Sequence, residues 1–203
     1  MALNNSIADL DPDVALTYTE AKADWKEDYP AGPWPELNET ARSKAVQDAY
    51  YARSRQPVAK VKELYKKAGL YDIDEIEAKA WATNAKFGQS AHNAEADEYS
   101  GAGDVRFRVL QLVRAATATQ PAVYQASKVI TWDQKYYIAF AAYMLRAAGR
   151  LRAAGKISDK IVWGGDWNQN GKTTDEHRPD FPHYERKSWR LGRRKKSAVA
   201  PIT

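Results

Sequence analysis

Along the chain the apolar positions switch between a helical period and a period of two, and the switches lay out the elements. Residues 11–27 read as a helix that ends in a turn rich in proline, Pro30 to Pro35. Asn38 or Thr40 can cap a second helix running to about Arg53, with Ala45, Val46, Ala49 and Tyr50 as its inner stripe, before Pro57 breaks it. Val58 to Ala68 gives a third, with Val61, Leu64 and Tyr65 inward and Gly69 closing it. The pattern turns extended from Glu77 to Phe87, and GQSAHNAEADEYSGAGD follows as a loop. Val105, Phe107 and Val109 then alternate with Arg106 and Arg108, which predicts a half-buried strand starting just after Asp104. Thr131 or Asp133 can cap a long helix to about Ala154, ended by Gly155, that buries Ile138, Tyr143, Leu145 and Leu151. Ile161 to Trp163 and Phe181 to Glu185 read as short strands. With no internal repeat and no long linker, the expected fold is α+β: a single compact domain of helices packed on a small antiparallel sheet.

Composition narrows the chemistry. The 203 residues suffice for one domain with a core, and 44% hydrophobic content with seven Trp and twelve Tyr excludes a disordered chain. There is no cysteine, so disulfides and thiolate metal sites are excluded and a transition metal must use His and carboxylate ligands. The first residues lack the basic start and apolar core of a signal peptide, so the product is expected to be made in a cytoplasm without a leader. The net charge of +5 is lopsided: seven Lys and Arg with no acid follow Glu185, which leaves residues 1–185 at −2. We therefore divide the chain into a domain, 1–185, and a basic tail, 186–203. The tail is either a solvated terminus or an anchor for an anionic cell-wall polymer or membrane surface, and nucleic acid ranks low as its partner.

Trp163 to Glu185, WGGDWNQNGKTTDEHRPDFPHYE, holds two of the three histidines and ends in Asp180-x-x-His183. Neutral imidazole binds divalent metals, and a carboxylate beside such a site can accept a proton from water. His92 and Asp104 upstream bring the candidate set to two imidazoles and one acid, the three protein ligands of a catalytic zinc site, with Asp180 as general base.

GQSAHN, the later Asp104, WGGDW and DFPHYE, in this order, resemble the zinc peptidases that cleave peptidoglycan stem peptides. That family includes D-alanyl-D-alanine carboxypeptidases and the L-alanyl-D-glutamate endopeptidases of phage endolysins, and the likeness runs from about Ala41 to Glu185. It implies a Hedgehog/DD-peptidase-like fold, zinc held by His92, Asp104 and His183, and hydrolysis of the L-Ala–D-Glu bond of the stem peptide by a monomer acting on the cell wall. A D-Ala-D-Ala carboxypeptidase or dipeptidase is the near alternative. A non-catalytic wall-binding protein with a structural metal is the distant one. The family spaces its first His and the Asp seven residues apart, whereas His92 and Asp104 are twelve apart. Asp97 therefore competes for the ligand role, and a five-residue loop insertion would favour Asp104. Arg55 stands where the resemblance places an arginine that stabilises the oxyanion, with Arg53 as its rival; a guanidinium suits that task because it is a fixed, always-charged donor.

Asp166-x-Asn168-x-Asn170-Gly171 also matches the start of a calcium loop, with the Lys172 carbonyl next and Asp175 or Glu176 available to close it. Calcium bound there would order the segment that delivers Asp180 and His183. A tight Asn-Gly turn without an ion is the competing expectation.

Overall fold

A computed structural model describes residues 4–83, 85–117 and 119–196. Among these residues the domain is α+β, with five α-helices and one five-stranded antiparallel sheet. Helix α1, Pro12–Asp28, starts where the Asp11 carboxylate accepts the Asp13 N–H and Pro12 fills a position that needs no donor. Helix α5, Gln134–Ala153, starts at Asp133, whose side chain accepts from the Lys135 N–H. The two helices lie together on one face of the sheet. Trp25, Tyr18 and Phe140 interlock there with Phe107 from the sheet, and Phe107 meets Phe140 and Tyr137 edge to face. The buried side of α5 is Tyr137, Phe140, Ala141, Met144, Ala147, Ala148 and Leu151. Ile138 and Leu145 are exposed, a correction to the expected stripe. The helix is apolar over more than half its circumference, so its periodicity leaves the inward face ambiguous and the large aromatics decide it.

The strands are β1 (Trp34–Glu39), β2 (Ala102–Arg114), β3 (Val123–Thr131), β4 (Ile161–Trp163) and β5 (His183–Arg186). They run in the order β1-β2-β5-β4, with β3 hairpinned onto the outer part of β2. The stretch at Asn38 that reads as a helix start is strand β1. Pro33 and Pro35 disfavour helix before it, and Arg106 and Arg108 reach across to Glu36. Helix α2 accordingly begins later, Lys44–Ala52, capped by Ser43. With α3, Val58–Lys67, and the short α4, Glu75–Lys79, it forms a second core around Ala49, Val61, Tyr65, Ile73 and Ala78. Helix α4 occupies part of the stretch expected to be extended. Its Asp74 cap accepts the Glu77 N–H, a local signal that outweighs the weak alternation.

The expected boundary after Glu185 falls inside strand β5, and the described part of the basic tail is docked. Arg186 and Arg194 both pair with the buried Asp11, at 3.2 and 2.9 Å, and Arg194 also reaches Asp13 at 3.0 Å. Lys195 pairs with Asp97 and Glu98, and Lys196 with Asp9. Four of the tail cations are thus used internally. Residues 197–203 lie outside the described residues.

Candidate metal centre

Four segments far apart in sequence meet at one end of the sheet. Asp104 and His183 are direct cross-strand partners on β2 and β5, which puts their side chains on the same face. His92 comes from the GQSAHN loop, and buried polar groups hold that loop. The Asn93 carboxamide accepts from the Gly88 and Ser90 N–H groups and donates to Gln47, while the Arg42 N–H donates to the His92 carbonyl. These bonds satisfy groups that would be costly to bury unpaired.

His92 Nε2 and His183 Nδ1 both lie 3.0 Å from Asp104 Oδ1 and 3.1 Å from each other. Among the described residues this is the cluster of three His or acidic side chains placed to share a metal ion. A divalent metal with bonds of ~2.0–2.1 Å at tetrahedral angles needs its donors about 3.3 Å apart, so these three need open only by a few tenths of an ångström. The remaining nitrogens are tied off. His92 Nδ1 is 3.1 Å from the Thr40 carbonyl, and His183 Nε2 is 3.0 Å from Glu185 Oε2. Each of these partners accepts a proton from the outer nitrogen, so the inner nitrogen is the one a cation would meet, the arrangement that orients metal-binding imidazoles.

Burial opposes charge on His183. The hydrogen-bonded Asp104 and Glu185 carboxylates, together with nearby Asp180, outweigh it and push the imidazole up to about 10. Burial likewise works against ionised Asp104, yet the two imidazoles hold its carboxyl well below the usual range.

Asp180 is placed by a tight turn in which the His183 N–H donates to the Asp180 carbonyl, 3.0 Å. Gly164 explains part of the WGGDW sequence: a Cβ there would lie 2.4 Å from the Asp180 carbonyl oxygen. Asp180 N–H donates to Gly164 and Gly164 N–H to His183, so the glycine lets the segment pass against the sheet end. The Asp180 side chain is exposed toward solvent on one side. On the other sides enough protein crowds it that desolvation, helped by the negative charge of Asp104, raises its pKa against the pull of His183.

These residues line an open cleft of about 1030 Å³. Trp167 stands against His183 with ring centroids 5.4 Å apart, and Arg42, Arg53 and Arg178 put three guanidinium groups on the cleft wall. Arg42 is buried and gripped by Glu39 and Gln47. Burial works against its charge, but Glu39 and the more distant Asp104 keep it protonated. Arg53 is held by Glu77 at 3.1 Å.

The expected arginine, Arg55, is not brought into this lining. Its guanidinium donates to the Tyr51 and Thr83 carbonyls and lies over the Tyr51 ring. A single residue beyond the end of α2 changes which way a side chain points, and Arg53, two residues earlier, faces the cleft instead. Asp97 is exposed and paired with Lys195, so Asp104 is the carboxylate of the cluster. The extra loop residues between His92 and Asp104 dock the C-terminal segment: Tyr99 N–H donates to Arg194 and Lys196 N–H to Asp97. Glu185, Thr40, Arg42 and Gln47 were not singled out from sequence. For Glu185 a signal was available, since it lies two residues from His183 in a strand and therefore on the same face.

The Asp166 loop is closed by its own hydrogen bonds. The Asp166 carboxylate accepts from the Asn170 and Gly171 N–H groups at 3.0 and 2.9 Å, and Asn170 Nδ2 donates to Asp175 at 2.6 Å. Asn168 Oδ1 also accepts from Asn170 N–H, and Lys172 N–H donates to Asn170 Oδ1. Gly171 takes the left-handed conformation, φ 81°, that the turn requires.

The fold and site together define an α+β domain with a His-Asp-His cluster able to hold a metal ion. No protein-family model matches the chain, and no curated protein matches it by sequence.

Proposed function

We propose that this chain is a zinc metallopeptidase of the phage endolysin type, cutting the L-Ala–D-Glu bond of peptidoglycan stem peptides. The observation that carries the reading is the convergence of His92 Nε2, His183 Nδ1 and Asp104 Oδ1 at the wall of an open cleft, with Asp180 beside them. Three ligands leave a coordination position for substrate or solvent, whereas a structural zinc is closed by four protein groups.

Zinc held by these three residues would supply positive charge to polarise the scissile carbonyl and make a water more acidic. Asp180 takes the proton from that water as its oxygen attacks the carbonyl carbon. It then gives the proton to the leaving amine nitrogen as the C–N bond breaks. Arg42, fixed by Glu39 and Gln47, replaces Arg55 as the proposed cationic group on the cleft wall. With Arg53 and Arg178 it suits a substrate that carries free carboxylates, as stem peptides do. The Asp166 loop enters as a calcium site that steadies the chain leading to Asp180. The Asp166-x-Asn168-x-Asn170-Gly171 spacing supports that assignment.

Purified wall incubated with the zinc-loaded protein tests the reading, with mass spectrometry of the products. Fragments beginning at D-Glu are expected. Loss of terminal D-Ala alone would mean the carboxypeptidase, and wall binding without release would mean a structural metal. Asp180→Ala should bind metal normally and lose lysis by at least ~10²-fold, the scale of general acid–base catalysis. Lysis at the native rate by this variant would end the proposed mechanism.

A further inference from the structure

Strand β2 continues well past the sheet. Its pairing with β1 ends at Arg108 and with β5 at Asp104, so from Leu110 outward its one described neighbour is β3. Residues 111–114 are all exposed, although consecutive strand residues point to opposite faces. Leu112 keeps 51% of its surface exposed and Val113 56%, so neither face of this ribbon is covered. Val129 and Trp132, both 59% exposed, carry the apolar surface back along β3 to its base. A lone two-stranded ribbon is marginal in water, and apolar groups bare on both faces make it more so.

Charge selects the partner. From Val105 through Trp132 there is no acidic residue. Glu36 pairs with both Arg106 and Arg108 at the inner end, whereas Arg114 and Lys128 farther out have no acidic partner among the described residues. Two copies of such an arm would repel each other. An anionic polymer would satisfy the cations and leave Leu112 and Val113 in water. An interface that is negative at its surface and apolar just beneath accommodates both, and Trp with Lys or Arg is the residue combination favoured there. We infer that the β2–β3 arm is a docking element for an anionic phospholipid bilayer. This site is separate from the metal centre and does not depend on the peptidase reading. Among the described residues no helix is long and apolar enough to span a membrane, so the attachment is peripheral.

Co-sedimentation of the full chain with phosphatidylglycerol-containing vesicles, against pure phosphatidylcholine vesicles, tests it. Binding at least tenfold tighter to the anionic vesicles is expected, with a blue shift of tryptophan emission that Trp132→Tyr diminishes. The pair Leu112→Asp, Val113→Asp should lower partitioning at least tenfold, and Arg114→Glu with Lys128→Glu should do the same on a ribbon whose apolar side chains are intact. An unchanged far-ultraviolet circular dichroism spectrum and Tm identify folded variants. Lys187→Glu with Arg190→Glu, two exposed positions of the otherwise docked C-terminal segment, should leave partitioning unchanged. The inference is overturned if vesicles are not bound, or if the tail pair rather than the arm pairs abolishes binding. It is equally overturned if the protein dimerises in solution and Leu112→Asp makes it monomeric, since a second copy would then be the occupant.

Discussion

The two halves of strand β2 carry the same kind of sequence and live in different surroundings. The inner half, Ala102 to Phe107, is flanked by β1 and β5 and covered by α5. It buries Val105 and Phe107 completely and presents Asp104 to two histidines. The outer half, Leu110 to Arg114, is as apolar but loses the strict alternation at Leu112-Val113, and it buries little. Both halves pair as strands, and whether their apolar side chains are covered depends on elements brought from elsewhere. The two proposed roles divide along the same line. Fixed ligands need the over-determined end, and a docking element needs surface left uncovered.

Truncating equivalent apolar residues on the two halves gives the largest contrast. Phe107→Ala should lose about 3–5 kcal/mol in chemical denaturation, because the cavity is walled by Trp25, Tyr137 and Phe140 and cannot collapse. Leu112→Ala should change stability by less than about 0.5 kcal/mol, the usual range for an exposed site. Comparable losses would mean that the outer ribbon is covered in solution.

A smaller effect probes how firmly the inner end is set. Glu185→Gln keeps an oxygen that can accept the His183 Nε2 proton but removes its charge. Zinc affinity, read by competition with a chelator, should weaken roughly 10–100-fold with the fold intact. An unchanged affinity would show that Glu185 does not position His183.

The smallest effect concerns the docked C-terminal segment. Burial works against the Asp13 charge, but Arg194 and the Ser158 and Asp159 N–H groups hold its carboxyl below the usual range. A lowered folded pKa contributes stability that is full above the unfolded value of about 3.9 and is lost as pH falls through the folded one. Asp9 behaves likewise beside Lys196, against its own burial. Asp11 acts in the opposite sense, because desolvation raises its pKa despite Arg194 and Arg186. The net acid destabilisation should thus be modest, a Tm falling by a few degrees between pH 5 and 3, and Arg194→Gln should flatten it. An equal slope in that variant would remove the pair from the account.

His183 and His92 were legible because they sit in short motifs whose residue types have few other uses together, and Asp104 was one of two candidate carboxylates because it precedes a clear alternation. Arg42 was not legible. Its place beside the cleft comes with its bonds to Glu39 and Gln47, and nothing near Arg42 in the chain distinguishes it from Arg55. The tail misled for a related reason: a run of cations looks solvated until the acids that meet it, Asp9, Asp11, Asp13 and Asp97, are seen to surround it.

The sequence alone determined the class of fold, most of its helices and strands, and the donor types a metal would find, because periodicity, capping and the lack of cysteine are local or compositional properties. Only the tertiary structure decided which carboxylate joins the histidines, which arginines face the cleft and which half of β2 stays bare. Those are questions of distance between segments as much as ninety residues apart, and side-chain direction there is fixed by packing rather than by neighbours in the chain.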